Sequence, residues 1–281
     1  MTDDTTSIDT DARGTSHRRV DDRSTLRIVS LVPSLTELLV DLGLATAIVG
    51  RTGFCIHPAD VVERIPKVGG TKSVNVEKIR RLAPTHLVVN IDENERPDVE
   101  ALEAFVPHVV VTHPLVPRDN LALYRLFGHV FDREHEAEGL CARFDAAWRA
   151  LGDAREQARW AQRRVLYLIW QDPWMTIARD TYIAAMLESI GWQQVDVTDV
   201  RDGKVESSSR YPAIDLERAA ASVDTILLST EPYRFDASHV ASLQHLAPHV
   251  RLVDGEMLSW YGSRAITGLA YLQRLASEPT T

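Results

Sequence analysis

The chain has 281 residues, 44% of them hydrophobic and 25% charged, with 31 basic against 40 acidic side chains for a net charge of −9. These proportions fit a soluble globular protein with one large core or two smaller ones, and they exclude collagen-like, low-complexity and wholly disordered chains. The acidic excess excludes nucleic acid as the main partner, because phosphate binding needs a basic footprint. Two cysteines, Cys55 and Cys141, cannot build a disulfide framework.

Residues Met1 to Leu26 mix six aspartates and four arginines with isolated apolar residues. This composition predicts a disordered tail over 1–26, whose removal as far as Ser24 leaves stability unchanged. The tail holds no apolar h-region and no small-residue cleavage site, so the expected location is the cytoplasm. No run of apolar residues is long enough for a membrane span, so membrane insertion is not expected.

Arg27 to Val32 predicts the first strand. Pro33 stops it, and Ser34 to Glu37 has the spacing of a capping box opening a helix through Asp41, ended by Gly43. Thr46 to Gly50 follows as a strand. Asn75 is placed to cap a helix over Val76 to Leu82, and Pro84 separates it from the apolar strand His86 to Ile91. Asp98 to Phe105 reads as helix and His108 to Thr112 as strand. Strands alternating with short helices predict a parallel sheet covered on both faces, here an N-terminal α/β lobe over 27–118.

From Arg133 to Arg164 apolar residues recur at three- and four-residue steps without a proline. This predicts a long helix within a helical linker, 119–164, bridging two lobes. The strand–helix alternation then returns in a C-terminal lobe, 165–281: Val165 to Trp170 strand, Thr181 to Ile190 helix, Gln194 to Thr198 strand. Leu216 to Ala221 is a helix, Thr225 to Ser229 a strand, Ala237 to Leu246 a helix, His249 to Asp254 a strand and Ser263 to Leu275 the last helix. The fold class is therefore α/β, two Rossmann-like lobes with central parallel sheets joined by one long backbone helix.

Ligands of open α/β sheets sit at the carboxyl ends of the strands. The loops expected there are rich in aromatic and polar residues, above all Trp170 to Met175 and Ser259 to Arg264. Of the thirteen Trp and Tyr residues, twelve lie at or after Trp148, so an aromatic platform is expected mainly from the second lobe. Trp174, Trp260 and Tyr261 are the candidates to stack on a ligand, while Trp170 reads as core. Lys72, exposed by the Gly69-Gly70 turn, with Glu93, Asn94, Glu231 and Arg264, are the candidates to orient it. Arg264 falls in the first turn of the last helix, where a cation is unfavourable unless it meets an anion. Cys55 and His57 are the candidate metal contacts, although two ligands do not make a zinc site. No nucleotide loop, nucleophile elbow or H-E-x-x-H motif is present.

Arg27-Ile28-Val29-Ser30-Leu31-Val32-Pro33-Ser34-Leu35-Thr36-Glu37, Val68-Gly69-Gly70, Asn75-Val76-Glu77-Lys78-Ile79 and Ala83-Pro84-Thr85-His86-Leu87-Val88 resemble the class III substrate-binding proteins of ABC importers. These are the helical-backbone metal receptors of the cobalamin-binding and iron-siderophore-binding types, and the chain resembles a signal-less, cytosolic member. The resemblance implies a non-catalytic receptor that holds a metal chelate, a corrinoid, siderophore or haem-like ligand, between two lobes. It implies no intrinsic cofactor and an ABC permease as partner, met by one surface glutamate per lobe. Glu77 matches the first, and the second falls near Leu216, at Glu217. The stacking tryptophan of the cobalamin-binding type has no counterpart near Thr71. On the residues alone two other readings stay open: a cytosolic enzyme such as a chelatase or hydrolase on the same scaffold, and a scaffold for a protein partner.

Overall fold

Short, fully buried runs of β-branched residues set the frame of both halves of the chain. A computed structural model describes residues 8–197, 199–201, 204–206 and 209–278. The elements in order are β1 (Ile28–Ser30), α1 (Pro33–Asp41), β2 (Ile48–Arg51), α2 (Ala59–Val62), α3 (Val76–Arg81), β3 (His86–Asn90), α4 (Arg96–Glu103), β4 (His108–Thr112), α5 (Asp119–Val130) and α6 (Glu134–Ala158). Then come β5 (Arg163–Trp170), β6 (Met175–Thr176), α7 (Tyr182–Glu188), β7 (Trp192–Gln194), β8 (Asp199–Arg201), β9 (Lys204–Glu206), α8 (Leu216–Ala220), β10 (Thr225–Ser229), α9 (Ala237–Leu243), β11 (His249–Val253), α10 (Gly255–Ser259) and α11 (Arg264–Ser277). The chain divides into two compact units: residues 1–114, 118–144 and 261–264 form the first, and 115–117, 145–260 and 265–281 the second.

In unit 1 the strands run in the order β2-β1-β3-β4, all parallel. The helices between them bury Val29, Leu31, Ile79, Leu87, Val89, Leu102 and Val111 in one apolar cluster. Asn75 caps α3 through its side chain, which accepts from the Lys78 amide. The expected capping box at Ser34 is absent. Pro33 is itself the first helical residue, a position where its missing N–H costs nothing, and the N-cap Val32 makes no side-chain bond. Glu37 is thereby left for another partner.

Unit 2 orders its main sheet β11-β10-β5, and β5 meets parallel β7 at its start and antiparallel β6 at its end. Its core joins Leu166, Leu168, Ile226, Leu228, Phe235 and Val250. β8 and β9 form a separate antiparallel pair. Thr181 caps α7, and Gly191 (φ +83°) ends the turn after it in the left-handed region. α6 carries the chain from one unit to the next as 25 residues, about 37 Å at 1.5 Å per residue. That is shorter than the expected stretch to Arg164, because Arg159 turns left-handed (φ +48°) and ends it.

The expectation of a disordered tail through Leu26 fails for residues 8–26. The Ala12 amide donates to Val111 O, and the Asp11 carboxylate accepts the Val111 amide, so the segment closes the open edge of β4. Asp11 also accepts the Arg13 and Thr15 amides and faces His17 Nε2 at 3.0 Å, with the Asp11 and His17 side chains themselves buried. Burial alone would raise the Asp11 carboxyl, but these hydrogen bonds outweigh it and hold the group below its ordinary value. Arg19 and Arg23 pair with Asp132 in the turn before α6. A buried carboxylate satisfied by backbone donors is an anchor, so truncation to Ser24 removes part of the unit. Residues 1–7 lie outside the described residues.

A histidine cluster under this strap is expected to make unit 1 sensitive to acid. His86 stacks on His108 with ring centroids 4.7 Å apart and meets Phe131 edge-on. Burial first, then the neighbouring His108 and His17, lowers the His86 imidazole from 6.5 to about 4. The folded state therefore keeps His86 neutral where the unfolded chain takes up a proton. Its contribution to stability is present above pH 6.5 and is lost as pH falls toward 4, about 3 kcal/mol in all. Urea unfolding at pH 7 and pH 4.5 checks this: His86→Phe is expected to flatten the difference between the two, relative to the parent.

Candidate functional site

Parallel strands point their carboxyl ends, and the loops that follow them, to one side of each sheet. In unit 1 these are the loops after β2, β3 and β4. The β2 loop runs through Phe54, Cys55, Ile56 and His57 to a cis His57–Pro58 bond. It is held by the Gly53 amide, which donates to Gly69 O at 2.7 Å. Gly69 must be glycine: its φ is +122°, and a Cβ there would lie 2.5 Å from Ser73 O. The Phe54 ring lies over Gly70 yet stays 62% exposed.

In unit 2 the corresponding loops follow β5, β10 and β11, and two of them turn at the cis bonds Asp172–Pro173 and Glu231–Pro232. An aromatic ladder spans the β5 and β10 loops. Trp170 meets Tyr233 edge-on at 5.4 Å, Tyr233 tilts against Phe235 at 4.6 Å, and Phe235 stacks on Trp174 at 6.0 Å and 2°. Trp170 is the rung that faces solvent.

One pattern links these loops. Among the described residues the exposed large apolar side chains are Ile8, Phe54, Ile56, Ile91, Val116, Trp170 and Leu252. All but Ile8 lie at, or within a few residues of, the carboxyl end of a parallel strand. Apolar surface left in water at that end of an α/β sheet is where a ligand is met. Sequence reasoning named the loops but missed Phe54, Ile56 and Ile91 and assigned Trp170 to the core. Each is a single apolar residue in a turn, without periodicity, and only the topology shows their common side.

The residues singled out by sequence have firm internal partners. Trp260 and Tyr261, expected to stack on a ligand, are each only 6% exposed. Trp260 Nε1 donates to Glu231 Oε1 at 2.7 Å, and Ser259 Oγ donates to the same oxygen at 2.9 Å. Burial pushes the Glu231 carboxyl up, against the pull of those two hydrogen bonds. Tyr261 donates to Glu93 Oε1 at 2.7 Å within unit 1, and burial followed by the Glu93 charge raises its phenol well above the ordinary value. Arg264 makes a two-point pair with Glu37, Nε to Oε2 at 2.7 Å and Nη2 to Oε1 at 2.8 Å. The anion that a cation at this helix start requires is thus a carboxylate of the chain itself.

Asn94 donates to Leu31 O and Thr71 O and accepts the Asn90 amide, so it braces the β3 loop from inside. Lys72 Nζ donates to Asp92 O at 2.8 Å and pairs with Glu95 at 3.3 Å, at the surface. Trp174 is half-buried on Phe235. Cys55 turns into the core of unit 1, 3.1 Å from Thr36 Oγ1 and 3.2 Å from Thr52 Oγ1, and burial raises its thiol. A buried protonated thiol is a poor metal ligand. Among the described residues no group of three or more His, Cys, Asp or Glu is placed to hold a metal ion.

Glu77 and Glu217 occupy the same place in the two units. Each is the second residue of a short helix, two positions after a capping Asn75 or Asp215, and each is exposed. The two segments thus share one local arrangement, a capped short helix with an exposed glutamate in its first turn.

Among the described residues no helix is long and apolar enough to cross a membrane. No curated protein matches the chain in sequence. Solved structures match nearly all of it. The periplasmic vitamin B12 binding protein BtuF of Vibrio cholerae is 16% identical with a TM-score of 0.75, over 90% of this chain and 98% of that one. A periplasmic heme binding protein from Pseudomonas aeruginosa is 23% identical with a TM-score of 0.73, over 91% and 94%. IsdE of S. aureus, solved with heme, is 20% identical with a TM-score of 0.67, over 90% and 99%. At such identities the likeness carries the fold, and the expected cytoplasmic location draws no support from neighbours named as periplasmic. The family described as periplasmic binding protein matches residues 28–249, most of both sheets and their loops, so this chain belongs to that family, as a ligand receptor and not an enzyme.

Proposed function

We propose that the protein is the receptor of a metal chelate, a corrinoid, siderophore or haem-like ligand, which its carboxyl-end loops receive. The observation that carries this reading is that each unit leaves apolar side chains exposed at the strand ends of its own sheet, Phe54, Ile56 and Ile91 in unit 1 and Trp170 and Leu252 in unit 2. A large, flat, partly apolar ligand gains from such surface about 25 cal/mol for each Å² it covers. The solved neighbours named for vitamin B12 and for heme point to the same ligand class. The loops keep their polar groups occupied: Lys72 with Asp92 and Glu95, Glu93 with Tyr261, Glu231 with Ser259 and Trp260. Their role is to hold the loops in shape, so that recognition uses preformed apolar surface. The partner is an ABC permease, and the matched, exposed Glu77 and Glu217 are the carboxylates it meets.

The test is an absorbance titration of the intact protein with haemin, cyanocobalamin and a ferric hydroxamate siderophore. One of the three is expected to bind at one equivalent. Failure of all three would sink the proposed ligand class.

A further inference from the structure

Unit 2 contains a cavity of about 520 Å³ on the side of its sheet away from these loops. Trp148, Arg155, Glu156, Arg159, Trp160 and Ser189 are among the residues that line it. They come from the last turns of α6, the turn that leads into β5, and the end of α7 before β7. The cavity thus sits at the amino ends of β5 and β7. β5 is eight residues long, so its two ends are roughly 23 Å apart at 3.3 Å per residue.

The wall of this cavity is built at a cost. Arg159 adopts φ +48° at the residue that ends α6, a place where glycine is the usual occupant. Its side chain makes no hydrogen bond or ion pair with the described residues and lies at the cavity, exposed. Arg155, by contrast, is engaged: its Nη1 donates to the Ser189 carbonyl at 3.0 Å, at the end of α7. The buried Trp160 Nε1–H also has no acceptor among the described residues. The surplus on this wall is one of donors, opposed only by Glu156 at the exposed rim. Two indoles offer flat apolar surface beside one uncommitted guanidinium.

We propose that this cavity is a second small-molecule site, one that takes a planar aromatic carboxylate. The ring system lies against the indoles of Trp148 and Trp160, and the carboxylate is held by Arg159. A left-handed non-glycine residue costs stability that glycine would not, and here its side chain stands at an aromatic cavity. Its task is to place a cation over that cavity. The site is separate from the strand-end loops and does not depend on the ligand they bind.

The test is isothermal titration of the full chain with 2-naphthoate, alongside 2-naphthalenemethanol as an uncharged control. We expect one equivalent of 2-naphthoate to bind, and the alcohol to bind at least tenfold more weakly. Arg159→Gly is the decisive variant, because glycine fits the left-handed turn and the protein stays folded. It is expected to raise the melting temperature and weaken 2-naphthoate binding at least tenfold. Phe54→Ser, in unit 1, is expected to leave this binding unchanged. The proposal is overturned if 2-naphthoate gives no saturable heat up to millimolar concentration, if Arg159→Gly binds it like the parent, or if Phe54→Ser abolishes the binding.

Discussion

Arg264→Ala is expected to destabilise the protein by about 3 kcal/mol, because it strands the Glu37 carboxylate in a nearly buried place. The two side chains are 11% and 18% exposed and bonded at two points, so neither charge has much water to fall back on. Glu37→Ala should cost a similar amount, since it leaves a guanidinium at the positive end of the α11 dipole. The double replacement Glu37→Leu/Arg264→Met is expected to cost clearly less than the sum of the two single truncations. Once both charges are gone, neither carboxylate nor guanidinium is stranded without the other. Urea unfolding of the four proteins gives the cycle. If Arg264→Ala unfolds like the parent but loses ligand, the arginine serves the ligand and the pairing with Glu37 is incidental.

Trp260→Ala should cost about 4 kcal/mol, within the range for emptying a large aromatic site. The ring is buried in unit 2, and its Nε1–H is one of two donors holding the Glu231 carboxyl in the turn after β10. Gly255, the first residue of α10, packs so closely on that turn that a Cβ would meet Ser229 Oγ at 2.5 Å and Glu231 Cγ at 2.6 Å. Collapse around the vacated ring is therefore restricted. Trp260→Phe fills most of the volume but removes the donor, and about 1 to 2 kcal/mol is expected from it. Thermal unfolding separates the two variants. A Trp260→Ala protein as stable as the parent would show that the ring is not part of the unit 2 core.

The strands were the most legible part of this chain. β4 and β10 fall where the runs HVVVT and TILLS begin and end, because strands covered on both faces read as unbroken apolar runs. Asn75 and Thr181 were legible as caps because capping is local, a side chain bonding its own next turn. What stayed hidden was what depends on distant partners. Arg264 looked like a ligand contact because the carboxylate that satisfies it lies 227 positions away. Residues 8–26 looked disordered because composition counts Asp11 as a charge and cannot see the amides that bury it. Trp260 and Tyr261 looked exposed because glycine and serine flank them, whereas Gly262 turns there (φ +76°) with its amide on Asn120 and its carbonyl on Tyr124. Phe54 and Ile91 carried no signal of their own; only the strand order places them on one side of one sheet.

If the apolar side chains at the strand ends hold the ligand, the metal-chelate titration repeated on Phe54→Ser/Ile91→Ser will show it. Both side chains are about half exposed or more, at 62% and 47%, so the double variant should unfold at the same urea midpoint as the parent. Whichever of haemin, cyanocobalamin or the ferric siderophore the parent binds, the variant is predicted to bind at least tenfold more weakly. Equal affinity in the two proteins, at equal stability, would contradict the assignment of the site to these loops.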